Sequence, residues 1–440
     1  MFKSFLKEKI NRIGIVKKYH MIIDELDALK EHNRILYNKN IDLRIKLKKL
    51  KKEKINVVFV CHRPAVWGAL KSVYEELKKD NNFNVYIVAI PNKKEIPGEW
   101  LYHEIYESEG AEEFWKECGC INGYNYETKE WFDLKTLNPD YVFFQQPYNI
   151  TRCPAYKSSV VSTYAKICYV SYFVFTDAVT GSTVKDSCYP VDFLQDVSYV
   201  FAQTKSEKKY LHKRMAEHNI VGLNIVLTGY PKYDELNKAK KQVSSIWNYE
   251  EHDGHFRVIW TPRWNTSEGN CHFFKYKDLI MSYCSKNDDI DFVFRPHPQS
   301  WNEWETTGEF TKKQREEFCN KYRKSHNMNI DNNKEYFSMF NQSDCLISDT
   351  SSMVLEYFVT GKPIIYCYNE GSIDNFVRSK GIGRGLYFVK DWDELELILQ
   401  KLKRGHDPLK CIRDRIISEE FNISNKAAKN ILNTIVNDNL

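Results

Sequence analysis

The sequence predicts an α/β protein with two doubly wound parallel-sheet domains facing a cleft, preceded by a helical extension. Three observations carry this expectation. Short, nearly continuous apolar runs recur along the chain and alternate with helical stretches, the pattern of strands buried on both faces. The runs fall into two series separated by a polar, charged segment. At 440 residues the chain also exceeds what one hydrophobic core normally supports.

Residues 1–54 contain no proline and read as helix apart from Gly14. Ile22, Ile23, Leu26, Leu29, Ile35, Leu36, Leu43 and Leu50 recur at spacings near three and four. That pattern fits an amphipathic helix or a short coiled coil. Phe2, Phe5 and Leu6 among lysines suit contact with an anionic membrane surface, and a dimerisation helix fits equally well. The first strand series is Asn56–Val60, Val85–Ile90, Tyr141–Phe144, Ile167–Val170, Tyr199–Ala202 and Ile225–Leu227, with a helix over Leu70–Lys79. The polar stretch Tyr233–His255 ends at Asp253-Gly254 and marks a boundary. A second series follows at Arg257–Trp260, Asp291–Phe294, Cys345–Ser348, Pro363–Cys367 and Leu386–Val389, and residues 391–440 read as terminal helices, including Trp392–Lys403 and Asn425–Val436. The expected division is 1–54 extension, 55–245 first domain, 246–400 second domain and 401–440 C-terminal helices.

The net charge of +5 hides an asymmetry: residues 1–54 hold 16 Lys and Arg against 7 Asp and Glu, and the rest of the chain holds 48 against 52. The body offers no basic patch, which argues against nucleic acid as a partner. The 12 cysteines show neither Cys-x-x-Cys pairs nor zinc-like Cys/His spacing, and several sit inside apolar runs. No secretory leader and no bilayer-spanning run is visible, so the expected location is cytoplasmic with reduced thiols. The sequons at Asn149, Asn265, Asn341 and Asn422 are then coincidental.

The densest motif is Cys345–Tyr368. A strand ends at Ser348, the turn Asp349-Thr350-Ser351-Ser352 opens a helix, Gly361 closes it, and Pro363 leads into another strand. Unpaired N–H groups and the helix dipole make such a start attractive to phosphate; capping by a hydroxyl or carboxylate is the plainer reading. Upstream, Phe292-Val-Phe-Arg-Pro-His-Pro298 places Arg295 and His297 beyond another strand. Two strand ends carrying phosphate-compatible groups suggest one site.

Four landmarks stand in order: Thr228-Gly-Tyr-Pro-Lys-Tyr-Asp-Glu-Leu236, Trp260-Thr-Pro-Arg-Trp264, Arg295-Pro-His-Pro298, and Ser348-Asp-Thr-Ser-Ser352 with Gly361-Lys-Pro-Ile-Ile-Tyr366. Over roughly residues 160–400 they resemble the CDP-glycerol glycerophosphotransferase family, the teichoic-acid primases and polymerases and related capsule enzymes. The resemblance implies a GT-B architecture of two Rossmann-like domains. It also implies a nucleotide-activated donor, CDP-glycerol or a nucleotide sugar, held by the C-terminal domain. Arg263, Arg295, His297, Ser348, Asp349, Thr350, Ser351 and Ser352 would surround its phosphates. Arginines can form bidentate contacts with a leaving phosphate, and His297 can donate a hydrogen bond or a proton. No Asp-x-Asp metal motif is apparent, so neither a metal nor another cofactor is expected. The acceptor would be a cell-surface polysaccharide or its lipid-linked precursor, with the basic extension holding the enzyme at the inner membrane face or joining copies of it.

One departure concerns the acceptor side. The family often carries a Trp-His-Gly-Thr-Pro-like motif whose histidine activates the acceptor hydroxyl, whereas Cys168–Ala178 here contains no histidine. Asp177 in that stretch and His62 after the first strand are the alternatives for general base, each also explicable as an ordinary loop residue. Other readings remain: a glycosyltransferase moving a sugar from a nucleotide sugar, a nucleotide-sugar epimerase or hydrolase on the same frame, which would turn over donor without acceptor, and a non-catalytic capsule-assembly scaffold, which would tolerate loss of His297.

Overall fold

The structure, a computed structural model, describes residues 2–95, 102–108, 110–175, 186–249, 254–369, 378–421 and 426–438. Asp177, Asp253 and Asn422 lie outside them. The first half of the chain supplies β1 (Ile55–Cys61), β2 (Phe83–Ala89), β3 (Asn92–Glu95), β4 (Tyr102–Glu107), β5 (Ile121–Asn122), β6 (Tyr124–Asn125), β7 (Glu130–Trp131), β8 (Tyr141–Phe144), β9 (Lys166–Tyr169), β10 (Tyr199–Ala202) and β11 (Asn224–Leu227). The second half supplies β12 (Phe256–Thr261), β13 (Ile290–Phe294), β14 (Met328–Ile330), β15 (Cys345–Ser348), β16 (Ile364–Cys367) and β17 (Tyr387–Val389).

A seven-stranded sheet runs β11-β10-β9-β8-β1-β2-β5 and a six-stranded sheet runs β14-β13-β12-β15-β16-β17, all pairings parallel. Each predicted strand forms within a residue or two. The short β5 and β14 and the small hairpins β3–β4 and β6–β7 were not predicted, because two to six residues give too little apolar run to stand out. β1 and β8 are buried almost throughout, so both sheet faces must be covered. Their register sets Phe59 opposite Phe143, the rings stacked with centroids 4.8 Å apart, and Phe201 continues the row at 6.2 Å. Such pairs add about 0.5–1.5 kcal/mol beyond area burial.

Strand order reverses at β1/β8 in the first sheet and at β12/β15 in the second. Open parallel sheets bind ligands beyond the carboxyl ends of strands at such reversals. The two crevices are therefore the places to look for chemistry.

The N-terminal helix runs unbroken over Phe2–Leu50, Gly14 included. Its later turns are docked: Arg34 donates to the Gln195 carbonyl at 2.7 Å, Ile41 and Ile45 are buried, and Asp140, fully buried, accepts from Lys48 Nζ at 2.6 Å and Arg44 Nε at 3.1 Å. The C-terminal helix Ala427–Asn437 packs back on the first half of the chain. There Asp438 accepts from the hydroxyls of Tyr141 and Tyr199 at 2.6 and 2.7 Å and pairs with Lys166 at 2.5 Å. The helix Lys410–Glu420, within the stretch read as C-terminal helices, places the fully buried Arg413 against the carbonyls of Gly361 and Gly385, at 3.0 and 3.3 Å. Among the described residues no helix is long and apolar enough to cross a membrane. All 12 cysteines are free thiols.

Candidate active site

At the second reversal, β12 ends in Thr261 and β15 in Ser348, paired in register. Their hydroxyls are 2.9 Å apart, and Ser348 Oγ also reaches the Thr261 carbonyl at 2.8 Å. Ser348 is buried, so its hydroxyl joins the two strands instead of facing a ligand. Asp349, next in the chain, also turns inward. Its carboxylate accepts from the backbone N–H of Arg263 and, at 3.0 Å, from that of His272, with the His272 ring nitrogen Nδ1 3.4 Å away. Burial raises the Asp349 pKa, and His272 opposes it. A carboxylate so placed shapes the Arg263 loop. Thr350 is buried too, its hydroxyl 3.2 Å from that of Tyr366. Three of the hydroxyl and carboxylate positions assigned to phosphate thus serve the frame, because short polar side chains at strand ends find nearer partners in the adjoining strand.

Ser351 and Ser352 remain at the surface of the turn. Ser351 caps the helix Ser352–Phe358, accepting from the Met353 N–H at 3.2 Å. The capping and phosphate readings are compatible, since one N–H is taken and the hydroxyl of Ser352 is exposed. Gly361, two residues beyond the C-cap Val359, has φ +76°, the left-handed conformation that ends helices and favours glycine.

Arg263 is held by a bidentate contact to Glu268, both distances 2.8 Å, with about a quarter of its side chain exposed. Its guanidinium lies 5.4 Å from the Trp264 ring, and that ring stacks on His297 at 5.8 Å and 25°. These three side chains form one platform. Arg295 points elsewhere. Through Nη1 it is paired with Asp331 and donates to the Asn333 carbonyl at 2.9 Å, and its guanidinium lies 4.4 Å from the Tyr336 ring.

His297 Nδ1 accepts from the Gln299 N–H at 3.2 Å, which leaves the proton of the neutral ring on Nε2. Its pKa is lowered to about 4, by desolvation and then by Arg263 and Arg295. Because the residue keeps substantial solvent exposure, the two guanidiniums are the contribution we weight more. At neutral pH His297 is therefore a neutral hydrogen-bond donor beside positive charge, suited to a phosphate oxygen. An anion bound there would raise its pKa.

At the first reversal, His62 follows β1 and Gln145 follows β8. The side-chain Oε1 of Gln145 accepts from the backbone N–H groups of His62 and Arg63 at 2.8 and 3.0 Å. His62 is buried with Nε2 lacking a hydrogen-bond partner among the described residues, and desolvation above all lowers its pKa to about 3. Arg152 is buried nearby with its guanidinium 4.0 Å from the Phe144 ring, donating to Asn149 Oδ1 at 3.0 Å and to the Gln146 carbonyl. Burial lowers its pKa to about 9.

A chain of contacts joins the two crevices. Tyr230 donates to the Tyr172 carbonyl at 2.9 Å, Ser72 to the Pro231 carbonyl at 3.1 Å, and Lys232 Nζ reaches Glu356 Oε1 at 2.7 Å. Glu356 lies on the helix that Ser351 caps, Tyr336 donates to its other oxygen, and Asp234 accepts from Ala427 and Ala428 at 3.2 and 3.0 Å. The Gly-Tyr-Pro-Lys motif is thus the bridge between the sheets, a role its sequence did not disclose. His272, Glu356 and Arg152 likewise carried no motif. Among the described residues no three His, Cys, Asp or Glu side chains gather as they would around a metal.

Comparison with known proteins agrees with this geometry. The chain is 24% identical over 323 residues to the minor teichoic acid biosynthesis protein GgaB of Bacillus subtilis (strain 168). The match takes in 65% of this chain and 33% of GgaB, so the chain spans about a third of that relative. The solved wall teichoic acid polymerase TagF aligns with a TM-score of 0.51 at 14% identity, covering 93% of this chain and 98% of TagF. UDP-GlcNAc 2-epimerase from Neisseria meningitidis, solved with UDP-GlcNAc bound, aligns with a TM-score of 0.55 at 13% identity, covering 87% and 100%. At these identities the two structures establish the shared GT-B fold and do not choose between transfer and epimerisation. The sequence is more specific: residues 186–382, which include all four landmarks from Thr228 to Tyr366, match the model of the CDP-glycerol:poly(glycerophosphate) glycerophosphotransferase family.

Proposed function

We propose that this chain transfers glycerol phosphate from CDP-glycerol to a teichoic-acid-like polymer or its lipid-linked precursor at the inner face of the cell membrane, residues 55–245 serving the acceptor and 246–400 the donor. The observation that carries the reading is the platform of Arg263, Trp264 and His297, its loop tied through the Arg263 N–H to Asp349, at a strand-order reversal inside the matched segment. In the reaction the acceptor hydroxyl oxygen forms a bond to the phosphorus bearing glycerol. The phosphoanhydride P–O bond breaks, and CMP leaves with its electron pair. Negative charge grows on the departing phosphate, where the Nε2–H of His297, the Arg263 guanidinium and the field of Arg295 stabilise it more than in the ground state. The acceptor proton passes to a base on the other crevice, for which His62, neutral and with Nε2 unoccupied, is our candidate. Its low pKa makes it a weak base until an acceptor phosphate beside it raises it. Asp177 is the second candidate from sequence.

Purified protein incubated with radiolabelled CDP-glycerol and a membrane extract should release CMP only when acceptor is present. CMP release without acceptor, or turnover of UDP-GlcNAc alone, favours the epimerase or hydrolase reading. No consumption of any donor refutes the proposal.

A further inference from the structure

The N-terminal helix has two unlike faces. Arg34, Asn38, Ile41, Ile45 and Lys48, spaced three and four apart, turn toward the body, with Ile41, Ile45 and Lys48 buried. On the opposite side a strict heptad runs from Ile22 to Leu50, about 42 Å at 1.5 Å per residue. Its d positions are Ile22, Leu29, Leu36, Leu43 and Leu50, and its a positions are Leu26, Asn33, Asn40 and Leu47. The d side chains are 44–74% exposed and Leu26 and Leu47 are 49% and 51% exposed. At 100° per residue Leu36 and Leu43 lie roughly opposite Asn38 and Ile45, so docking on the body leaves the heptad stripe open.

We propose that this stripe pairs with the same stripe of a second copy of the chain in a parallel, in-register two-stranded coiled coil. Leucine at d suits two strands, and an asparagine at a is tolerated where it meets its own counterpart, which only parallel, in-register pairing provides; it then fixes register at some cost in stability. Asn33 and Asn40 also argue against a lipid occupant, because their amides would enter the acyl layer without partners. The parallel arrangement brings both bodies to the same end of the coil, each on the outer side of its own helix. Two clefts would then face one acceptor-bearing surface.

The test uses the full chain in sedimentation velocity. We expect twice the chain mass at micromolar concentration, and the chain mass alone for Leu36→Lys, whose exposed position leaves the fold intact. Leu29→Cys should crosslink to its own copy under mild oxidation, beyond any background from exposed Cys118 and Cys411 in the unaltered chain. A monomeric native chain, a dimer that survives Leu36→Lys, or a dimer in which Leu29→Cys does not crosslink overturns the proposal. So does a monomer whose binding to phosphatidylglycerol vesicles is lost in Leu36→Lys, which would make the stripe a lipid face.

Discussion

Replacing Lys232 with Met removes one half of the ion pair that bridges the two sheets. The Lys232 and Glu356 side chains are only 16% and 7% exposed, with Nζ to Oε1 at 2.7 Å. Truncating one partner of a buried pair typically costs about 3–5 kcal/mol, since the survivor keeps its desolvation penalty. Glu356 retains the Tyr336 hydroxyl as donor, which places the expected loss near the lower end, about 3 kcal/mol. Removing both charges in Lys232→Met/Glu356→Gln should recover about 2 kcal/mol of that, because a neutral amide still accepts from Tyr336 and no charge is stranded. Urea unfolding followed by tryptophan fluorescence measures each corner of the cycle. The pH dependence is a second check. Desolvation pulls the Lys232 pKa down, but Glu356 outweighs it and the net shift is upward. A raised lysine contributes its full stability below the unfolded value of about 10.4 and loses it only as pH rises through the folded value. The cost of Lys232→Met should therefore be the same at pH 7 and pH 9. A single variant within about 0.5 kcal/mol of the parent, or a double variant costing the sum of the singles, would refute the reasoning.

His297→Ala should lower turnover with donor and acceptor by roughly 10²–10³-fold, as loss of one preorganised donor to a developing oxyanion does. With its pKa near 4 in the free protein, kcat/KM should show no limb near pH 6.5 from this residue, and a limb there that vanishes in the variant contradicts a neutral donor. Arg263→Ala should weaken CDP-glycerol binding by roughly 10- to 100-fold in calorimetry. Ser348→Ala should instead leave donor affinity within about twofold while costing about 1–2 kcal/mol of stability through the lost strand-to-strand contact. Because folding lowers the His62 pKa to about 3, the unfolded chain takes up the proton first. The His62 contribution to stability is complete above about pH 6.5 and is lost as pH falls toward 3, at up to about 1.4 kcal/mol per unit, so His62→Gln should flatten that part of the stability profile in urea titrations.

The strands were legible because both faces of each sheet are covered, which forces continuous apolar runs such as Val57–Cys61 and Cys345–Ile347. The elements that escaped were those whose burial is decided by neighbours: β5, β14 and the hairpins. At the site, Arg263 and His297 share the Trp264 ring and Ser352 is exposed, while Ser348, Asp349 and Thr350 are turned into the frame and Arg295 is engaged by Asp331. Adjacent residues in a turn point in different directions, and no spacing rule states which of five successive polar groups will find a partner inside. His272 and Glu356 were missed for the complementary reason, since each acts through a partner 77 and 124 positions away.

The sequence by itself determined the alternation of strands and helices, the phosphate-compatible motifs and their order, and the heptad of the N-terminal helix. These are properties of neighbouring residues, fixed by period and local chemistry. Tertiary structure alone decided that β12 meets β15 and β1 meets β8 at order reversals, that the Gly-Tyr-Pro-Lys segment ties the two sheets together, and which hydroxyls remain free for a ligand. Those outcomes depend on pairings between distant segments, where the burial of one side chain is set by another that the local sequence does not contain.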